Sequence, residues 1–224
     1  MREKILIIED NTDTRKFLQV MLGKDYEILV AENGVTGLEV AREQQPDLII
    51  MDVVMPVLNG FDACKLLKED NRTQKIPVIF LSSKNTTSDI TFGLSVGADD
   101  FVPKPFDYRE LKTRIKARID RGKQGPSNII QIGQLKIDSS TRDVWFGTNK
   151  ANLTLTEFDI LKFLVTKKGV VVSRAEIMKE IWRDDANATS DRTIDVHIRA
   201  LRKKIPAMSK HIQSIYGVGY KYEI

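Results

Sequence analysis

Apolar residues in the first half of the chain fall into short continuous runs that alternate with sets at helical spacing. The runs in KILIIED, YEILVAE, DLIIMD, PVIFLSS and DDFVPK predict strands. The segments between and after them predict helices: NTDTRKFLQVMLGK, with Phe17, Leu18, Met21 and Leu22 on one stripe, then GVTGLEVARE, GFDACKLLKED, SDITFGLSVG and YRELKTRIKARID. Strands that are apolar without alternation are buried on both faces, as in a parallel sheet with helices on each side. The first half is therefore expected to be a doubly wound (flavodoxin-like) α/β domain with a five-stranded parallel sheet. Its binding site should lie at the carboxyl ends of the strands.

The rhythm breaks at GKQGPSN, residues 122–128, which has Gly, Pro and Ser but no apolar anchor and reads as a linker. Beyond it, IIQIGQLKID and RDVWFGTNKANL predict short antiparallel strands with a turn near Gly147. Three helices follow in TLTEFDILKFLVTK, SRAEIMKEIW and SDRTIDVHIRALRKK. The closing IQSIYGVGYKYEI predicts a hairpin with Gly217 and Gly219 in its turn. The expected domains are residues 1–121 and, after the linker 122–128, an α+β domain over 129–224.

Composition agrees with folded, soluble domains: 42% of the 224 residues are hydrophobic and 29% charged. No apolar run approaches the roughly 18 residues of a membrane span. The run in MREKILIIED ends on two acids after four residues, too short for a signal peptide. The single Cys64 excludes an internal disulfide and suits a reducing cytoplasm, and with two histidines it offers no zinc cluster. Charge divides where the texture does. Residues 1–121 hold 18 Lys and Arg against 20 Asp and Glu, a net of −2; the rest hold 17 against 11, a net of +6. A basic second domain points to a polyanionic partner.

Glu9 and Asp10 end the first predicted strand and Asp52 ends the third. Parallel strands present their carboxyl ends on one edge, so these acids should converge. Three adjacent carboxylates cannot all stay ionised without a cation, and an all-oxygen set suits Mg2+. Ser82 and Lys104, ending the fourth and fifth strands, add a hydroxyl and a positive charge. That constellation binds a phosphoryl group, and a carboxylate can act as its nucleophile. Singly, each residue has a plainer reading: a helix or turn cap for the acids, a turn residue for Ser82, a solvated lysine for Lys104. Their coincidence on one edge favours the joint reading.

The ordered set IIED, MDVVMP…NG, FLSS and GADDFVPKPF resembles the receiver domain of bacterial two-component response regulators over residues 1–121. The resemblance implies that Asp52 is the phosphoacceptor, served by a sensor histidine kinase. Glu9, Asp10, Asp52 and the backbone carbonyl of Val54 would hold Mg2+. Ser82 and Lys104 would contact the phosphoryl group, Pro105 would follow a cis peptide, and Phe101 would turn inward as an aromatic switch. Pro56 and Gly60 would shape the loop over the site. The face made by the fourth helix, fifth strand and fifth helix would form a homodimer on phosphorylation through Asp99, Asp100, Glu110, Arg114 and Arg121. Ile90 stands where relatives often carry a basic residue.

Residues 129–224 resemble the winged-helix output domain of the OmpR/PhoB family through LTLTEFDILKFL, GVVVSRAEIMKEIW, DRTIDVHIRALRKK and IYGVGYKYE. Independently, residues 192–204 gather Arg192, Arg199, Arg202, Lys203 and Lys204 against Asp195 alone, opposite an apolar stripe of Ile194, Ile198, Leu201 and Ile205. Such a helix suits the major groove of DNA. The resemblance implies DNA contacts by Arg192, Thr193, His197, Arg199, Arg202 and Lys203. Arg174, Lys221 and Tyr216 would lie at the flanking helix and wing, on two half-sites arranged as direct repeats. Ala200 and Tyr216 depart from arginines seen in relatives. The loop RDDANAT, 183–189, is where such proteins meet RNA polymerase. Two other readings are weighed. A haloacid-dehalogenase-like phosphatase would want a second Asp where Val54 stands, so no enzyme beyond self-phosphorylation and autodephosphorylation is expected. A phosphorylation-independent DNA-binding regulator with a degenerate receiver is opposed by the full set of Asp52, Ser82 and Lys104.

Overall fold

A computed structural model describes residues 2–84, 86–122, 129–182 and 192–223; the side chains of Arg121 and Arg192 lie outside that description. The chain divides into two compact units, residues 1–122 and 123–224. The boundary falls at the first residue of the expected linker, whose remainder, 123–128, is outside the described residues.

In the first unit, strands β1 (Lys4–Ile8), β2 (Glu27–Ala31), β3 (Leu48–Met51), β4 (Val78–Ser82) and β5 (Asp100–Pro103) form one parallel sheet in the order β2-β1-β3-β4-β5. Helices α1 (Thr12–Leu22), α2 (Gly34–Gln44), α3 (Gly60–Glu69), α4 (Thr87–Ser95) and α5 (Tyr108–Gly122) connect and follow the strands. Successive strand residues point to opposite faces, which explains the unbroken apolar runs. Leu6, Ile8, Ile49, Met51, Val78 and Phe80 pack with residues of α2 and α3 such as Leu38, Ala41, Cys64 and Leu67. Ile5, Ile7, Leu48, Ile50, Ile79 and Leu81 meet Leu18 and Leu22 of α1 and Leu111, Ile115 and Ile119 of α5. Asn11, Asn33 and Asn59 cap the three helices that follow β1, β2 and β3, each accepting from a backbone N–H one turn in. Such caps contribute about 1 kcal/mol apiece.

A buried ion pair ties α3 to the segment before β5. Lys68 of α3 donates to Asp99 at 3.0 Å and to the carbonyl of Ile76 at 2.7 Å. Asp99 also accepts the Val78 N–H at 3.0 Å, and both side chains are buried.

The second unit opens with an antiparallel meander of β6 (Ile129–Ile132), β7 (Leu135–Asp138), β8 (Asp143–Phe146) and β9 (Asn149–Ala151). Gly147 turns between the last two at a φ of 61°, as expected. Then come α6 (Leu155–Thr166), β10 (Val171–Ser173), α7 (Arg174–Trp182), α8 (Arg192–Lys204), α9 (Met208–His211), β11 (Ile212–Ile215) and β12 (Gly219–Tyr222). The last strands form a sheet in the order β10-β12-β11. The core joins Phe158 and Leu161 of α6, Ile177 and Ile181 of α7, and Ile194, Ile198 and Leu201 of α8. This is a winged-helix arrangement, with the β11–β12 hairpin as wing. One expectation is corrected. Gly217, at a φ of 69°, sits in the wing turn, but Gly219 is a strand residue. A Cβ there would lie 2.1 Å from the Val172 carbonyl oxygen, so glycine is needed for the close approach of β12 to β10.

Candidate functional site

The carboxyl edge of the parallel sheet brings together the residues expected there. Carboxylate oxygens of Glu9, Asp10 and Asp52 lie within 4.8 Å of one another. Lys104, at the end of β5, donates to Asp52 Oδ2 at 2.6 Å and to Glu9 Oε2 at 2.7 Å. Asp52 Oδ1 accepts the Val54 N–H at 3.0 Å, and Glu9 Oε1 accepts the Asn11 N–H at 3.3 Å. Burial pushes the Glu9 carboxyl above its ordinary range, and Lys104 offsets only part of that. Burial would lower the Lys104 ammonium, but its hydrogen bonds to Asp52 and Glu9 outweigh it and raise the pKa. The lysine thus stays a cation between two acids. The donor set of Glu9, Asp10 and Asp52 is all oxygen and tightly clustered, which fits a hard divalent ion.

Ser82 is buried at the end of β4, where its Oγ accepts the Lys84 N–H at 3.2 Å. The Lys104–Pro105 peptide is cis. Phe101 already lies inward and buried. It closes a run of ring contacts: Phe92 to Phe61 at 5.0 Å, Phe61 to Phe80 at 5.3 Å, and Phe80 to Phe101 at 5.9 Å between centroids. An apolar cleft of about 380 Å³ opens between Val54, Met55, Phe61 and Phe92.

Residues expected on the dimer face are engaged within the receiver itself. Asp99 forms a buried pair with Lys68 of α3, and the Arg118 charge of α5 is also felt there. Asp100 and Arg114 are also buried, joined at 2.9 Å, and Arg118 adds a second bond to Asp100 at 3.1 Å. Glu110 binds Arg114 one helical turn away and is itself 42% exposed. Ile90 packs against the core. The Arg121 side chain is outside the described residues.

On α8, Arg199 and Lys203 are exposed on the side away from the core. Thr193 and His197 are not. They are 2% and 1% exposed, with His197 against Trp182 of α7 at 6.0 Å between rings. Their expected place on the DNA-facing side is therefore overturned: α8 packs on both α6 and α7, so its buried arc is wider than the isoleucine stripe. Arg202 turns toward the wing and donates to the Ile212 carbonyl at 2.6 Å and Ser214 Oγ at 3.0 Å. Arg174 donates through Nε to Asp195 at 2.8 Å, and the Tyr220 hydroxyl donates to the same oxygen at 2.6 Å. Lys221 pairs with Glu223 at 2.9 Å, while Tyr216 stands fully exposed at the tip of the wing. The Arg192 side chain and residues 183–189 lie outside the described residues. Sequence reasoning missed Asp195 and Tyr220 as a linked pair. The signal was present: one acid in a basic helix, and a tyrosine at an inward position of the last strand.

Comparison with known proteins adds the following. Residues 5–116 match the family model of the response regulator receiver domain, and residues 148–222 match that of the transcriptional regulatory protein C terminus. The DNA-binding response regulator MtrA of Mycolicibacterium smegmatis is 33% identical, the match covering 99% of this chain and 97% of that one. The crystal structure of DrrB, an OmpR/PhoB homologue of Thermotoga maritima, is 29% identical over the full length of both chains, with a TM-score of 0.53. The receiver domain of sensor kinase PA1611 of Pseudomonas aeruginosa, solved with magnesium in its active-site cleft, is 27% identical. It covers 54% of this chain and 99% of that one, with a TM-score of 0.51.

Proposed function

We propose, for a chain that belongs to the OmpR/PhoB-type two-component response regulators, that Asp52 accepts a phosphoryl group from a sensor histidine kinase and that this controls transcription from promoter DNA. The observation that carries the reading is the joint hold of Lys104 on Asp52 and Glu9 beside Asp10. Asp52 Oδ1 is steadied by the Val54 N–H, leaving the carboxylate fixed for attack on phosphorus. Lys104 is placed to follow charge from the carboxylate to the phosphoryl oxygens, and Ser82 supplies a hydroxyl from the next strand end. Glu9, Asp10 and the Val54 carbonyl would hold Mg2+, which when bound neutralises phosphoryl charge. The chain's own chemistry would be limited to gaining and losing that group. Phosphorylation adds charge and acceptor oxygens to a tightly packed strand edge, biasing the packing of Phe101 and α4.

Incubation with acetyl phosphate and Mg2+, followed by intact mass and a gel shift on selected duplex DNA, tests the reading. Wild type should gain one phosphoryl group and bind DNA more tightly, and Asp52→Ala should do neither. Equal DNA binding by both proteins would favour the phosphorylation-independent regulator instead.

Phosphorylated receivers would pair through the α4–β5–α5 face, and the dimer would read two direct-repeat half-sites and meet RNA polymerase. Because Arg114 is buried, its reversal to Glu would first cost receiver stability. Glu110→Gln is the cleaner probe. It should leave melting nearly unchanged and weaken phosphorylation-dependent dimerisation up to about fivefold, the span of an exposed ion pair. Sedimentation of the phosphorylated proteins reads this; an unaltered dimer would remove Glu110 from the interface. On DNA, Arg199 and Lys203 occupy the outer side of α8, and Arg174 and Lys221 flank it for phosphate contacts.

A further inference from the structure

Asp195 is the one acid of α8, on a helix that meets a polyanion. Placed there alone it would repel phosphate, yet it is not left alone. Its Oδ1 takes the Arg174 Nε–H at 2.8 Å and the Tyr220 hydroxyl at 2.6 Å. Arg174 opens α7, and Tyr220 lies in β12 of the wing. The Arg174 guanidinium sits 5.1 Å from the centre of the Tyr220 ring, and Arg202 of α8 sits 5.9 Å from it. A buried phenol and one carboxylate thus join the groove helix, the helix before it and the wing.

This arrangement is poorly placed to act as a core tie. The side chains of Arg174 and Asp195 are 21% and 46% exposed, and ion pairs so exposed add little to stability. What it does well is orient. Arginine carries five N–H donors in a rigid fork. Asp195 engages Nε and the Tyr220 ring lies beside the guanidinium, so both constrain the fork whose terminal nitrogens would meet a phosphate.

We propose that Asp195 and Tyr220 are positioning residues for DNA binding, holding the Arg174 fork in a fixed pose toward a backbone phosphate. The proposal rests on the reading of Arg174 as a phosphate contact. Burial, and then Asp195, push the Tyr220 hydroxyl up to about 12, so it remains a donor across the range in which DNA is bound.

The test measures affinity and its salt dependence for the full chain on a duplex selected from random sequence by the wild-type protein. Arg174→Ala should weaken binding and lower the salt slope by about one phosphate contact. Tyr220→Phe keeps the ring but loses the bond to Asp195, and should weaken binding about fivefold. In the Arg174→Ala background the same Tyr220→Phe change should cost nothing further, a non-additivity that a general loss of stability would not produce. Asp195→Asn, which retains an acceptor oxygen, should bind better than Asp195→Ala. Equal loss from Tyr220→Phe in both backgrounds, or no loss in either, overturns the positioning role while leaving Arg174 as a contact. An unchanged affinity and salt slope for Arg174→Ala overturns the contact and the positioning role together.

Discussion

Replacing Lys68 with methionine is expected to cost the receiver about 3–5 kcal/mol, the penalty for stranding one partner of a buried ion pair. That is a large share of the roughly 5–15 kcal/mol by which a domain is stable. The Lys68 ammonium serves Asp99 at 3.0 Å and the carbonyls of Ile76 at 2.7 Å and Gln74 at 3.4 Å. Its loss takes from a carboxylate of no measurable exposure the cation it binds directly, leaving the weaker influence of Arg118. The double variant Lys68→Met with Asp99→Asn should recover much of the loss, because the amide can still accept the Val78 N–H and position 99 no longer buries a charge. The pH dependence follows from the direction of the Asp99 shift. Burial would raise its pKa, but the Lys68 charge and the Val78 hydrogen bond outweigh it and hold the group below the ordinary carboxylate range. A group depressed in the folded state contributes stability above its unfolded pKa and loses it as pH falls through the folded value. The pair therefore protects the wild type into mild acid, and the variant should lack that protection. Urea midpoints at neutral and mildly acidic pH read both effects; equal midpoints for wild type and Lys68→Met would sink this account.

Asp99 also shows where sequence stops being legible. Its neighbour Asp100 faces Arg114 and Arg118, and the family resemblance had assigned both acids to one surface. Asp99 comes just before β5 and pairs instead with Lys68 of α3, a partner 31 residues earlier that no local pattern marks. Thr193 and His197 went wrong for a related reason. Helical spacing located the isoleucine stripe of α8 correctly, but the width of the buried arc is set by how many neighbours a helix has. Here α7 adds a second, through Trp182 against His197. Strand β10 and helix α9 are three and four residues long and carry no period to read; β10 exists by pairing with β12. By contrast, the carboxyl-edge cluster was readable because parallel topology follows from the apolar runs, and topology alone brings the ends of β1, β3 and β5 together.

Gly60→Ala should slow phosphoryl acceptance at Asp52 by about a hundredfold without touching a functional group. A Cβ at position 60 would lie 2.1 Å from the Asp52 carbonyl oxygen and 2.9 Å from Val53 Cα. Both neighbours are backbone, so no rotamer can give way. Either the start of α3 or the end of β3 must retreat by about 1 Å to reach ordinary contact. The helix is anchored, since Asn59 caps it and the Gly60 N–H binds the Val53 carbonyl at 2.9 Å. The displacement is therefore expected at Asp52, whose oxygens are set within 2.6 Å of Lys104 and 3.0 Å of the Val54 N–H. A misplacement of about 1 Å at a reacting group costs on the order of a hundredfold in rate. Overpacking costs about 1–3 kcal/mol in stability. Gly37→Ala is the control. Its Cβ would meet Ile8 Cδ1 at 2.4 Å and Cγ1 and Cγ2 at 3.0 and 3.1 Å, all side-chain atoms and none of them backbone at Asp52, so it should lose stability but keep the reaction. The rate of adduct formation with acetyl phosphate separates the two, and wild-type kinetics in Gly60→Ala would show that α3 yields and Asp52 does not.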